Sequence, residues 1–410
     1  MKTSSSISSR YFIRRLVLQF FSLAIFCSAV VSCASSSSSK SKLNSTSNSS
    51  SESGDSSSVS HGPGPLQPRG LDLDQVISQF AVGSCANQDE DQPIWSAIQG
   101  AHPDLFLFIG DNVYASKPEQ KPISDQYKKL DRIEGYRNLR SKVPFLVTWD
   151  DHDFGQNDGG ADNPEKGVAR GAFLNYWRFV KDYLPWKLED GLYYAKIIGP
   201  TQIPTKKSSR RRKSVSVPAQ KQAQQRVQFI MLDTRSYRSP LKKNEDTSQP
   251  LIKFLPTTDT STTLLGEKQW RWLEAQLKEP ADVRFLISSI QFVAETPGFE
   301  KWANFPHEKK RFFDLLAKTK VKNLIVLSGD RHLAAIAKQE VKAFGPIYDL
   351  TASSLNRPGD LKESDPSYLA PPFNPENFGF VTINWSAREV LLEIKDIEGK
   401  GVQSTKVKLN

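Results

Sequence analysis

The sequence predicts an α/β protein, a layered β-sandwich flanked by helices. Short runs of β-forming apolar residues recur along the chain, as expected for strands buried on both faces, although periodicity alone leaves a buried helix open for any one of them. Stretches with apolar residues at helical spacing lie between these runs, and the carboxyl end returns to strands alone. Units of strand and helix followed by late antiparallel strands fit two packed sheets with helices outside.

Residues 1–33 stand apart from this pattern. Arg10, Arg14 and Arg15 precede the apolar run Leu16 to Val31, which is short for a membrane-spanning helix. The run leads into Val30-Val31-Ser32-Cys33, which resembles a bacterial lipobox and implies cleavage before Cys33 and lipidation of that residue. Arg14-Arg15 resembles a degenerate twin-arginine signal, which implies export of a folded, metal-loaded protein. An uncleaved amino-terminal anchor is the alternative. Both readings give an exported, membrane-anchored protein facing the periplasm or the cell exterior. Residues 34–70 are a Ser-rich stretch that cannot bury enough apolar surface to offset its ordering entropy, and they read as a disordered tether. His61 lies in that tether and has no expected role.

Residues 71–410 read as one domain, since no second linker separates two cores. Its first strand, Gln79 to Val82, runs into Gly83-Ser84-Cys85, and Leu105 to Ile109 runs into Gly110-Asp111-Asn112-Val113-Tyr114. Phe145 to Trp149 ends on Asp150-Asp151-His152-Asp153. A helix over Lys166 to Tyr183 and a strand over Leu192 to Ile198 come next. Val227 to Leu232 then leads into Asp233-Thr234-Arg235. Helices follow over Gly266 to Leu277, with Trp270, Leu273 and Leu277 on one face, and over Pro306 to Thr319, with Phe312, Phe313, Leu315 and Leu316 as an apolar stripe. Asn323 to Leu327 leads into Ser328-Gly329-Asp330-Arg331-His332, and strands over Phe380 to Asn384, Val390 to Ile394 and Gly401 to Val407 close the chain.

The net charge of +10 is unevenly spread. Much basic charge falls in residues 203–226, a flexible insertion containing Lys206-Lys207 and Arg210-Arg211-Arg212-Lys213. An anionic partner and a solvated loop explain this run equally well. It has no interleaved aromatics, so no specific nucleic-acid partner is expected.

In open α/β sheets the ligand crevice lies beyond the carboxyl ends of the strands, where these polar motifs fall. Of the three cysteines, Cys27 and Cys33 belong to the export segment, which leaves Cys85 without a disulfide partner and available as a metal thiolate. Asp111, Asp151 and Asp330 would repel one another in a shared cleft, and bound cations are the usual remedy. Carboxylates suit calcium, magnesium or manganese, whereas a thiolate, a phenolate and an imidazole suit iron, so the residues call for two unlike metals. Asp111 and Tyr114 are spaced to ligate one ion together. His152 is placed to protonate a leaving oxygen, and Arg235 offers planar donors to phosphate.

Together with Ser288-Ser289-Ile290-Gln291, Trp302, Phe305-Pro306, Glu308 and Thr351-Ala352-Ser353-Ser354, these motifs resemble, in order, those of PhoD-like alkaline phosphatases. The resemblance implies the calcineurin-like metallophosphatase fold and a phosphoesterase acting on phosphate monoesters, diesters or both, in some members phospholipids. It implies Fe3+ held by Cys85, Asp111, Tyr114 and His332, and Ca2+ or another divalent cation held by Asp151 and Asp330, with Asp111 bridging. Asp150 or Asn157 is the candidate to complete the second site. Asn112 and Arg331 are candidate substrate contacts, Arg331 also being suited to pair with a nearby carboxylate. The Gly-Asp-x-x-Tyr spacing of Tyr114 is similar to that of purple acid phosphatases. The usual opening Asp-x-His is missing, and Cys85 stands in its place.

Two rival readings are a phospholipase D-like phosphodiesterase acting on lipid or wall polymer and a catalytically silent surface binding protein. His102 and His307 read as surface or capping positions, and Asp233 as a turn cap or a partner that orients Arg235. Trp302, Phe305 and the loop Asp365 to Pro375 are expected to frame the entrance.

Overall fold

The computed structural model describes residues 66–180, 191–200, 225–360 and 362–410. The export segment with Cys33, the tether up to residue 65 and the basic insertion up to residue 224 lie outside the described residues.

In chain order the elements are β1 (Gln79–Gly83), α1 (Ile94–Gly100), β2 (Phe106–Ile109), α2 (Ile123–Leu130), α3 (Glu134–Lys142), β3 (Phe145–Thr148), α4 (Lys166–Tyr176), β4 (Tyr194–Ile198) and β5 (Val227–Met231). There follow β6 (Lys242–Lys243), β7 (Phe254–Leu255), α5 (Gly266–Leu277), β8 (Val283–Ile287), α6 (Pro306–Thr319), β9 (Leu324–Ser328), β10 (Ala334–Val341), β11 (Gly345–Ala352), β12 (Asn377–Asn384), β13 (Glu389–Asp396) and β14 (Gly401–Lys408).

Two six-stranded sheets result, in the orders β14-β13-β12-β1-β2-β3 and β10-β11-β9-β8-β5-β4, with β6 and β7 as a separate small pair. Strands β1, β2 and β3 are mutually parallel, and an antiparallel run of β12, β13 and β14 extends that sheet from β1. In the second sheet β5, β8, β9 and β11 are parallel, and β4 and β10 pair antiparallel at its edges.

The period-two alternation of each strand decides which layer its side chains join. Phe80 of β1 meets Phe229 of β5 and Phe285 of β8 edge-on, with centroids 5.3 and 4.8 Å apart, so the two sheets pack face to face. The alternate residues Ile230 and Leu286 turn outward and join Trp270 and Leu273 of α5 and Phe312 and Leu316 of α6. On the opposite outer face Phe106 and Phe108 of β2 pack against Trp95 of α1 at 5.6 and 5.8 Å. Each such side chain contributes about 1.5–3 kcal/mol on burial. This is the helix-flanked sandwich expected from the pattern.

The helix expected over 166–183 ends at Tyr176 and tightens into a 3-10 turn over Trp177–Val180, while residues 181–190 lie outside the described region. Trp177 at that junction is buried against Phe108, Phe145 and Phe173. Short helices such as α1 and the strands β10 and β11 have weak sequence signals: α1 has only seven residues, and the two strands are broken by Ala-rich and Pro-containing stretches.

Candidate metal centre

The motif loops leave the carboxyl ends of β1, β2, β3, β5 and β9 and meet at one edge of the sandwich. Close backbone approach explains the Gly-Asp pairs that open two of these loops. Gly110 has φ +118°, and a Cβ there would lie 2.6 Å from the Cβ of Asp150. At Gly329 a Cβ would lie 2.5 Å from Oγ of Ser84. Four expected ligands occupy the left-handed region: Cys85 (φ 60°), Asp111 (φ 45°), Asp330 (φ 70°) and His332 (φ 55°). Non-glycine residues persist there when the surrounding structure holds them, and such residues concentrate at functional sites.

These turns bring potential ligand atoms into three overlapping groups, each with its atoms within 4.8 Å of one another: Cys85, Asp111 and His332; Asp111, Asp151 and His152; and Asp150, Asp151 and Asp330. Sγ of Cys85 lies 3.5 Å from Oδ2 of Asp111, and Oη of Tyr114 lies 3.0 Å from Nε2 of His332. The backbone N–H of His152 donates to Oδ1 of Asp111 at 3.2 Å, and that of Asp158 to Oδ2 of Asp151 at 2.6 Å. Oδ2 of Asp150, Oδ1 of Asp151 and Oδ2 of Asp330 are buried and accept no hydrogen bond among the described residues. A buried carboxylate oxygen without a donor is costly, and a cation removes that cost. The donor set therefore fits metal binding, with sulfur, phenol and imidazole on one side and carboxylate oxygens on the other.

The electrostatics agree. Burial pushes the Cys85 thiol up to about 11 and holds Asp111 and Asp330 well above the usual carboxylate range. Burial also raises Asp150 to about 7, despite the opposing Arg235 charge. Asp151 falls below its usual range because His152, Arg235 and the Asp158 N–H together outweigh the upward effect of burial. His332 drops to about 4, chiefly from burial and then from the Arg357 charge.

A cleft of about 170 Å³ opens over these groups, with Asp111, Asp151, His152, Asp330 and His332 at its lining. His152 packs against Tyr114, with ring centroids 4.1 Å apart and the planes tilted by 36°, and its Nδ1 lies 2.7 Å from Oγ of Ser116. Arg331 and Asn157 also line the cleft. Arg331 is ion-paired with Glu363 and stacks on Phe299 at 4.1 Å, so its carboxylate pairing is realised at the cleft wall. Asn157 is exposed and donates to Asp158 at 2.6 Å, whereas Asp150 is buried and belongs to one of the three groups.

Arg235 and Asn112 do not face the cleft. Arg235 is fully buried: its Nε donates to Oδ1 of Asp150 at 2.5 Å and its Nη1 to Oε2 of Glu300 at 2.6 Å. The expectation that it binds phosphate is corrected: its guanidinium is occupied in orienting Asp150. Asn112 is buried too, donating to the Thr148 carbonyl at 2.8 Å and to Asp153 at 3.0 Å, which removes it from substrate. Trp302 and Phe305 lie in the core beside Phe312 rather than at the entrance. Asp233 caps its own turn by accepting the N–H groups of Arg235 and Ser236, both at 2.9 Å.

Several contributors have no role announced by the sequence. Asp153 accepts the N–H groups of Asn112, Val113 and Asp150, tying the β2 and β3 loops together. Lys253 and Asn374 line the cleft from irregular segments, and Arg357 sits 5.2 Å over the Tyr114 ring.

The chain is similar to known proteins in sequence and in fold. The sequence pattern of the PhoD-like phosphatase family matches residues 80–375. Alkaline phosphatase D of Bacillus subtilis (strain 168) is 22% identical over 301 residues, which are 64% of this chain and 48% of that protein; the chain spans about half the length of this relative. A solved structure of PhoD superposes with a TM-score of 0.56 at 15% identity, over 84% of this chain and 70% of the other. Purple acid phosphatase PPD1 from yellow lupin (Lupinus luteus) seeds gives 0.52 at 11% identity, over 85% and 55% respectively. With the match covering most of the folded part of the sequence and every motif loop at one sheet edge, the chain belongs to the PhoD-like phosphatase family.

Proposed function

We propose that this chain is an exported, lipid-tethered phosphoesterase that hydrolyses phosphate monoesters or small diesters outside the cytoplasm. The observation that carries this reading is the sharing of Asp111 and Asp151 between overlapping ligand groups, the arrangement a two-ion centre requires. Cys85, Asp111, Tyr114 and His332 would hold a ferric ion. Asp111, Asp151 and Asp330, with Asp150 through its second oxygen, would hold calcium or a similar divalent cation. Bound together, such ions supply a nucleophilic hydroxide near neutral pH and stabilise charge on phosphate oxygens.

The chain's own groups supply the rest. His152 lines the cleft with its ring held by Ser116 and Tyr114, which suits it to pass a proton to a departing alkoxide. Lys253 and Arg331 line the wall and would place positive charge beside the oxygens of the ester. The small volume of the cleft favours compact esters over polymer. Export and lipidation rest on the pattern of residues 1–33; among the described residues no helix is long and apolar enough to cross a membrane.

The test is to assay the purified full chain against matched monoesters and diesters, with elemental analysis of the same sample. Turnover tracking iron together with a second cation supports the proposal. A metal-replete protein that turns over neither class would point instead to the silent binding protein.

A further inference from the structure

We infer that Ser353 is the positioning residue that couples Cys85 to His332, and so sets the affinity of the sulfur-containing half of the centre. The inference rests on the reading of those two residues as ligands.

Ser353 follows β11 and is fully buried. Its Oγ lies 3.2 Å from Sγ of Cys85 and accepts the backbone N–H of His332 at 2.9 Å. One hydroxyl thus touches two ligand turns that are far apart in sequence. The neighbouring Ser84 hydroxyl, 3.5 Å from the same sulfur, donates to the Ala352 carbonyl at 3.2 Å. Its single proton is committed, so Ser353 is the hydroxyl whose proton is left for the sulfur.

The backbone around Ser353 reinforces the clasp. Ser353 N–H donates to the Leu333 carbonyl at 3.2 Å, Leu355 N–H to that of Ser84 at 3.1 Å, and Asn356 N–H to that of Cys85 at 3.4 Å. The segment from 353 to 356 therefore pins the Cys85 turn and the His332 turn to each other. Both ligands need such support because both sit in left-handed backbone. A hydroxyl donated to sulfur stabilises the thiolate and fixes its direction, the part that outer partners commonly play at metal sites.

The full chain, stripped with a chelator, can be titrated with Co2+ while following the near-ultraviolet thiolate band, and separately with Ca2+ by calorimetry. Ser353→Ala should weaken Co2+ binding about 10–100-fold with a diminished band, the usual cost of losing an outer partner. Calcium affinity should be unchanged, and Ser353→Thr should recover most of the cobalt affinity. Wild-type cobalt affinity in Ser353→Ala, or equal loss of cobalt and calcium, would overturn the inference. Absence of a Cys85-dependent band in the wild type would instead overturn the ligand assignment beneath it.

Discussion

The phenol oxygen of Tyr114 lies 3.0 Å from Nε2 of His332, a residue 218 positions further along the chain. A phenol and an imidazole thus face each other across the sandwich edge, each beyond the end of a strand of a different sheet. Replacing Tyr114 with Phe removes the phenolate and leaves the ring. In iron-loaded protein the phenolate part of the visible charge-transfer absorption should be lost, leaving the Cys85 thiolate contribution, with metal content measured on the same sample. A spectrum unchanged in position and intensity would exclude Tyr114 as an iron ligand.

His152 contacts the cleft and its Nδ1 is engaged by Ser116 at 2.7 Å. His152→Ala should lower kcat about 10²–10⁴-fold, the usual range for a lost acid–base group, while metal content stays at the wild-type level. Ser116→Ala should give a smaller fall in kcat, since the ring remains but loses its orienting partner. Equal loss of metal and turnover in His152→Ala would make the imidazole a ligand instead.

Arg235 stands between Asp150 and Glu300, and Arg238 pairs with Glu300 at 2.7 Å, all of them buried. Truncating one member leaves uncompensated buried charge. Arg235→Met should destabilise the fold by about 3–5 kcal/mol in denaturant unfolding. Arg235→Lys should recover little, because one ammonium cannot reproduce two planar contacts. A metal-free Arg235→Met protein as stable as wild type would show the network to be energetically idle.

Metal uptake should depend on pH in a fixed direction. Without a cation, burial keeps Cys85 near 11 and Asp111 and Asp330 well above the carboxylate range, so their protons must leave on binding. His332, lowered to about 4, is already neutral at neutral pH and releases none. Apparent affinity should therefore rise with pH through the neutral range, with net proton release. Calorimetry in buffers of different ionisation enthalpy measures that release directly, and proton uptake would contradict these shifts.

Cys33 is the proposed lipid attachment point. Cys33→Ser should abolish labelling by a fatty-acid probe and shift the protein from the membrane to the soluble fraction of the producing cell. Unchanged membrane partition without labelling would favour the uncleaved anchor.

The motif ends of β1, β2, β3, β5 and β9 were legible because these buried strands are predominantly apolar up to the point where they leave the core, so each transition is abrupt in the sequence. Legibility failed where one residue type serves two purposes. Arg235 has the donors for a phosphate or for two carboxylates, and only the position of Glu300, 65 residues away, decides between them. Trp302 and Phe305 are equally suited to a rim or a core, and the packing of α6 places them in the core. Lys253, Asn374 and Arg357 lie in irregular segments where no period marks an inward face. The left-handed conformations of Cys85 and His332 had no glycine to announce them.

Those conformations bear on which amino acids the centre can accept. The left-handed region admits glycine readily and Asn or Asp with modest difficulty, but it resists β-branched side chains. Tolerance at positions 85, 111, 330 and 332 should thus follow two independent filters, donor chemistry and main-chain shape. A glycine at any of them would remove the donor group while sparing the turn, whereas valine or isoleucine would disturb the turn itself. Exchange of one ligand for another is thereby channelled toward a short menu, in which aspartate satisfies both filters.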